Sequence, residues 1–195
     1  MKTVTFDSTI TFDSPIGPIT LKALGDAIVK VDLHGFNTGA DSRTHDDGMT
    51  ALTQATPVPA EATPVLAEAR NQLTEFFAGK RKNLNFKVSL NGTEFQRAVW
   101  GEIAKLGFGK AITYAEIARR IGNPSAVRAV GGAVGSNPVA LVVGCHRILG
   151  SGERITGYSG GDGLPTKRWL LAHEGITFRD VAEVRRDAET PLKLE

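Results

Sequence analysis

Thr113-Tyr114-Ala115-Glu116-Ile117-Ala118-Arg119-Arg120-Ile121-Gly122-Asn123-Pro124-Ser125-Ala126-Val127-Arg128-Ala129-Val130-Gly131-Gly132-Ala133-Val134-Gly135-Ser136-Asn137-Pro138 reads as two short helices and the turn between them. Thr113 and Glu116 have capping-box spacing at the head of the first helix, and Gly122 closes it. Asn123-Pro124 makes the turn, Ser125 caps the second helix, and Asn137-Pro138 ends it. A tight turn between two short helices predicts a helix-turn-helix. Internal packing alone can also produce such a pair, so the surface of the second helix has to discriminate.

At about 100° per residue, Val127, Val130 and Val134 share the side expected to face a core. The opposite side carries Arg128, Ala129, Gly132, Gly135 and Ser136, almost bare apart from one cation. Each of Gly131, Gly132 and Gly135 costs about 1 kcal/mol relative to alanine inside a helix. That cost is tolerable where another backbone must approach closely. Arg128 falls in the first turn, where the helix dipole disfavours a cation. A guanidinium held outward for a ligand is the sharper reading, and a stray surface arginine the plainer one.

Downstream, Val139-Ala140-Leu141-Val142-Val143 is a continuous apolar run that predicts a buried strand. It delivers Gly144-Cys145-His146-Arg147. Cys145 is the single cysteine of the chain, which excludes an intrachain disulfide and a zinc site built on several thiolates. An inert buried cysteine is the common alternative. Against it, His146 and Arg147 beside the thiol would favour the thiolate. Gly157-Tyr158-Ser159-Gly160-Gly161 matches the G-x-S-x-G elbow of serine hydrolases, but that elbow needs a strand before it and a helix immediately after. Thr156 and Asp162-Gly163-Leu164-Pro165 flank it instead, so a flexible loop is expected. Thr166 then caps a helix over Lys167–His173, with Gly175 as the stop and Glu174 at the negative helix end.

Upstream, the pattern is that of a β-meander. Thr11–Ser14 and Ile19–Lys22 flank the turn Pro15-Ile16-Gly17-Pro18, and Ala27–Leu33 follows as a further strand. Gly35–Ala62 is rich in Thr, Asp, Gly and Pro without a period and predicts a long, mobile surface loop. Thr63 as N-cap and Pro64 start a helix that stops at Gly79, with Leu66, Ala69, Leu73 and Phe76 as its stripe. Asn85–Leu90 alternates like a half-buried strand. Thr93 and Gln96 form a capping box ahead of the stripe Phe95, Val99, Ile103 and Leu106.

The 195 residues are 41% hydrophobic and 23% charged, the make-up of a soluble globular protein. No run reaches the roughly 18 apolar residues of a membrane span. No secretory signal is visible, so a cytoplasmic location is expected, and the sequon Asn91-Gly92-Thr93 is read as accidental. Net charge is −1 over residues 1–92, +4 over 93–178 and −1 over 179–195. The basic excess lies mid-chain, where a polyanion would dock.

Together these residues resemble the O6-alkylguanine-DNA alkyltransferases, also called methylated-DNA–protein-cysteine methyltransferases. The blocks are Phe95-Gln96-Arg97-Ala98-Val99-Trp100, Thr113-Tyr114, Arg128-Ala129-Val130-Gly131 and Asn137-Pro138. They continue with Cys145-His146-Arg147-Ile148, Gly157-Tyr158-Ser159-Gly160-Gly161 and Lys167-Arg168-Trp169-Leu170-Leu171. Residues 1–90 resemble the family's small α/β domain through Asp13-Ser14-Pro15-Ile16-Gly17-Pro18. The resemblance implies an α/β ribonuclease-H-like domain over 1–92 packed on a mostly α, winged-helix-like helix-turn-helix domain over 93–178, with a tail from 179 to 195.

It further implies direct, irreversible, single-turnover transfer of an alkyl group from O6-alkylguanine or O4-alkylthymine to Cys145. No cofactor and no metal are expected. His146 would deprotonate the thiol through a water, and Glu174 would orient His146. Tyr114 would push the target phosphate and hydrogen-bond the leaving guanine, and Arg128 would fill the gap left by the flipped base. Asn137 would stabilise the hinge between helix and active-site strand. Gln96, Ala115, Asn123 and Ser151 match DNA-backbone contacts, with Ala129 and Gly132 on the helix that enters the minor groove. Tyr158, Ser159 and Ile148 would line the base pocket. The implied partner is alkylated double-stranded DNA, bound by a monomer, with clustering along DNA left open. Gly144 departs from the family's proline, and the same turn is nevertheless expected, so Gly144→Pro should stabilise. Two other readings stand beside this one. A binding-only relative would lack the cysteine, and a helix-turn-helix regulator would expose polar base-reading side chains on the second helix.

Overall fold

The computed structural model describes residues 6–36 and 63–180. Most of the loop expected over Gly35–Ala62, and all but two residues of the expected tail, lie outside them. Strands β1 (Ser8–Phe12), β2 (Ile19–Leu24) and β3 (Ala27–Leu33) form an antiparallel meander in the order β1-β2-β3. Its register pairs Ile10 with Leu21 and Leu21 with Val31, which sends those side chains into the core. Helix α1 (Pro64–Phe77) lays Leu66, Ala69, Leu73 and Phe76 on that sheet. Thr63 is its N-cap but makes no side-chain capping bond; its hydroxyl lies 3.3 Å from Ser8 Oγ instead.

The strand expected over Asn85–Leu90 reduces to a single parallel bridge between Val88 and Ile28. The outer edge of β3 is shared. Ile28 is taken by the 88 region, while Val31 bridges Val139 and donates its N–H to the Pro138 carbonyl at 2.8 Å. Neither segment has enough free edge to extend.

Helix α2 (Glu94–Ala104) begins with the expected capping box, Thr93 and Gln96 bonding reciprocally. After the two-residue strand β4 (Ile112–Thr113) comes α3 (Tyr114–Arg120), whose Glu116 N–H is capped by Thr113 Oγ1. The Glu116 carboxylate does not complete a box; it accepts from Arg119 and Arg120. Helix α4 (Val127–Gly135) starts later than expected, with Ala126 as its N-cap. Ser125 donates its hydroxyl to Asn123 Oδ1 within the turn and does not cap the helix. Val127 is exposed, and Ala133 joins Val130 and Val134 on the buried side. The later start explains this, because Val127 sits in the first turn at the rim of the core. Trp100 Nε1 donates to the Ala133 carbonyl at 2.8 Å and fixes α4 against α2.

The strand expected over Val139–Val143 is absent. Val139, Leu141 and Val143 are buried, but the chain turns back on itself, with Val142 N–H bonding the Ala140 carbonyl and Leu141 at φ +69°. The reason is a distance. Asn137 Nδ2 lies 2.9 Å from Cys145 Sγ eight residues on, whereas an extended chain of that length would span roughly 25 Å. The strand comes after the cysteine, as β5 (Ile148–Leu149), parallel to β4. Helix α5 (Leu164–His173) also starts before its expected cap; Thr166 is inside it, fully buried, and accepts from the Asp162 N–H. One continuous core joins Leu21, Leu73 and Phe76 to Trp100, Val130 and Leu170. No helix among the described residues is long and apolar enough to cross a membrane.

Candidate active site

A short 3-10 turn carries Cys145, His146 and Arg147 under α4, at the floor of a cleft of about 790 Å³. Cys145 is 4% exposed, and its sulfur accepts from Asn137 Nδ2, while Asn137 Oδ1 accepts the Val139 N–H at 3.0 Å. Asn137 thus ties the end of α4 to the thiol. Burial pushes the Cys145 thiol up to about 11, against the smaller opposing pull of the Asn137 hydrogen bond and the Lys167 charge. The expectation that His146 and Arg147 would favour the thiolate therefore fails for the free protein. Both side chains are instead bonded to a carboxylate.

That carboxylate is Glu174, just beyond α5. His146 Nε2 lies 2.9 Å from its Oε1, Arg147 binds it through Nε and Nη2 at 2.8 Å each, and the Gly109 N–H reaches Oε2 at 3.0 Å. Burial would raise the Glu174 carboxyl, but the bonds and charges of His146 and Arg147 outweigh it and hold it at about 2. The awkward position at a helix C-terminus is thereby explained. An ionised acceptor on Nε2 keeps the proton there, leaving Nδ1 as a bare lone pair. Nδ1 is buried and has no hydrogen-bond partner. Burial also keeps His146 below its ordinary value, hence neutral and able to take a proton.

The cleft walls come from three elements. Tyr114 and Ala115 at the start of α3 form one side, Arg128, Gly131 and Gly135 of α4 the roof, and Ser151 with Tyr158 and Ser159 the other side. Tyr114 accepts from Thr156 Oγ1 at 3.3 Å, and burial raises its phenol. Ser159 Oγ donates to the Gly135 carbonyl, while the buried Tyr158 hydroxyl has no protein partner. Residues 157–163 form a loop, as the refusal of a hydrolase elbow required. Ile148 does not line the cleft: its side chain is fully buried and its carbonyl accepts from Lys167. Gln96 is engaged in its capping box and donates to Ser136 Oγ, and Asn123 is exposed in the α3–α4 turn. A smaller recess of about 190 Å³ reaches Cys145 from β3, past Lys30, Asp32 and Asn137. Among the described residues no group of three or more His, Cys, Asp or Glu could hold a metal ion.

Sequence reading missed Thr156, which meets Tyr114, and Lys167, which is fully buried. For Lys167 a signal existed: it stands three and four residues before Leu170 and Leu171, on the apolar face of α5.

Gly144 overturns the expectation of a family-like turn. Its φ is +73°, its carbonyl accepts the Arg147 N–H, and a Cβ there would meet Arg147 Nη1 at 2.8 Å. Proline is locked near −65°, so the preferred outcome for Gly144→Pro reverses. The substitution should destabilise by at least about 2 kcal/mol and slow any reaction of Cys145. A melt at or above that of the unchanged protein would show that the turn can adopt a negative φ.

The face of α4 toward the cleft is open. A Cβ at Gly132 or Gly135 would meet nothing within 4 Å, and one at Gly131 only Tyr114 Cε1 at 4.0 Å. Packing within the molecule therefore does not require these glycines. Ala129, Gly132 and Arg128 are exposed, as read from the sequence.

Residues 9–90 match the family described as 6-O-methylguanine DNA methyltransferase, ribonuclease-like domain, and residues 94–176 match its DNA binding domain. The methylated-DNA–protein-cysteine methyltransferase of Methanosarcina acetivorans is 38% identical over 164 residues, 84% of this chain and 96% of that one. The Mycobacterium tuberculosis protein of the same name is 39% identical over 164 residues, 84% of this chain and 90% of that one. The crystal structure of Mycobacterium tuberculosis OGT in complex with DNA superposes with a TM-score of 0.66 at 37% identity, covering 85% of this chain and 91% of that one. With both halves matched in order, a cysteine at the cleft and a histidine beside it bonded to a buried carboxylate, the chain belongs to the methylated-DNA–protein-cysteine methyltransferase family.

Proposed function

We propose that the protein repairs alkylated DNA directly, moving the alkyl group from the guanine O6 (or thymine O4) to its own Cys145. The observation that carries this reading is the thiol on the floor of a cleft roofed by the bare face of α4. A cysteine only 4% exposed cannot meet a base stacked in a duplex. The base has to leave the stack, which costs a few kcal/mol and calls for a side chain to replace it. Arg128, exposed in the first turn of α4 at the cleft rim, is suited to that role. Alanine and glycine along α4 let the helix lie close to both backbones of a minor groove, which discriminates sequence poorly and so suits repair. Ala115, Ser151, Asn123 and Gln96 would meet the DNA backbone, and Tyr158 and Ser159 would hold the extruded base.

In the transfer itself, the Cys145 proton passes through a water to Nδ1 of His146, whose Nε2–H is held by Glu174. The sulfur lone pair forms a bond to the alkyl carbon as the carbon–oxygen bond breaks. The electron pair leaves with guanine, which takes up a proton at the end of the step, aided by a hydrogen bond from Tyr114. The thioether is permanent and no cofactor takes part. The fold belonging with this activity is a ribonuclease-H-like unit up to about residue 92 and a winged-helix-like unit beyond it, acting as a monomer in the cytoplasm.

Intact mass before and after mixing with duplex DNA containing O6-methylguanine tests the reading. A single methyl gain, mapped to the Cys145 peptide, is expected. Tight binding with unchanged mass would instead assign the protein a lesion-binding role without transfer.

A further inference from the structure

Lys167 is not used by the mechanism above, yet its side chain is 0% exposed beneath the site. Its Nζ donates to the Ile148 carbonyl at 2.6 Å and to the Thr156 carbonyl at 3.2 Å. Ile148 follows the turn that carries Cys145, and Thr156 precedes the loop that carries Tyr158 and Ser159. The ammonium thus joins the floor of the cleft to one of its sides, and Thr156 carries the link on to Tyr114 through its hydroxyl. Among the described residues no carboxylate is bonded to it; both acceptors are neutral carbonyls, an expensive place for a cation unless its charge is used.

We propose that Lys167 is a positioning residue of the transfer reaction, clamping the thiol-bearing turn to the base-pocket loop and favouring the thiolate through its charge as the sulfur attacks. Asn137 donates to the sulfur but is neutral, and the other groups around the thiol leave the charge to Lys167. His146 is neutral, and Tyr114 and Tyr158, both with raised phenols, bring no positive charge. Arg147 is committed to Glu174. Arg128 is exposed at the rim, and in the recess Lys30 is paired with Asp32. Burial brings Lys167 down to about 8 while Cys145 pulls it up, and in return the Lys167 charge draws the thiol down. Each group therefore shifts the other.

This inference rests on Cys145 as acceptor, and its test separates the two. Alkylation of Cys145 by iodoacetamide is followed against pH, without DNA, in the unchanged protein, Lys167→Gln and Lys167→Met. Glutamine keeps a hydrogen-bond donor and loses the charge. Its rate should fall about tenfold below about pH 8, where Lys167 is charged, and approach that of the unchanged protein above it, with a cooperative melt retained. Methionine should show that loss and also lose methyl transfer from duplex DNA through a loosened pocket. Superimposable profiles for the unchanged protein and Lys167→Gln would overturn the role in thiolate formation. Should both variants fail to fold, the logarithm of the Cys145 alkylation rate is followed against pH in the unchanged protein. It should rise less steeply across about pH 8, where Lys167 loses its charge; a straight line through that range would refute the coupling. Failure of the unchanged protein to take a methyl from DNA would sink the acceptor reading, a result distinct from both.

Discussion

Cys145→Ser should abolish methyl transfer while leaving the affinity for methylated duplex DNA nearly unchanged. Among the described residues the sulfur's one hydrogen bond comes from Asn137, so a hydroxyl fits the same bond and the cleft keeps its shape. What disappears is nucleophilicity. Even a thiol held at about 11 is far easier to ionise than an alcohol, and it is intrinsically the better nucleophile. The loss should be on the order of 10⁶-fold, comparable to removing the nucleophile of a hydrolase. Single-turnover transfer of a labelled methyl group together with a DNA titration reads both quantities. Measurable repair by the serine variant would remove Cys145 as acceptor, and lost DNA binding would show that the thiol supports the fold of the cleft.

The second large effect belongs to Glu174. Glu174→Gln keeps the shape but removes the charge that four donors converge on, leaving the buried Arg147 guanidinium without its carboxylate. Breaking one side of such a pair costs about 3 kcal/mol. The variant should also transfer slowly, because His146 loses the anion that keeps its proton on Nε2. The pH dependence has a definite sign. The carboxyl stands near 4.5 when unfolded and about 2 when folded, so its stabilisation is complete above 4.5 and fades as pH falls through 2. Denaturant melts of the two proteins should therefore differ most above pH 4.5 and converge toward pH 2. A gap independent of pH across that window would mean that the carboxylate charge is not what stabilises the site.

The acidic arm of this cluster shows how far a sequence can carry the argument. His146 and Arg147 beside the only cysteine, and Glu174 at an unfavourable helix end, were visible as oddities. Nothing in the linear order said that the oddities satisfy each other across 27 and 28 residues. Lys167 was less visible, because a lysine among helix residues reads as surface until the opposite face proves to be solvent.

Local interactions were what the sequence determined by itself. The meander, α1, the α2 capping box and the bare face of α4 depend on contacts a few residues apart, and their period and caps are written in the chain. The tertiary structure decided wherever a distant partner competed for the same groups. The free edge of β3 had to serve both Val88 and Val139, so neither expected strand formed. Asn137 had to reach Cys145, so an apolar run that could have been a strand folded back, and Gly144 adopted a positive φ where the family resemblance had suggested a negative one. The thiol's pKa was decided the same way: adjacency predicted a low value, but burial depends on everything packed around the sulfur, and burial dominated.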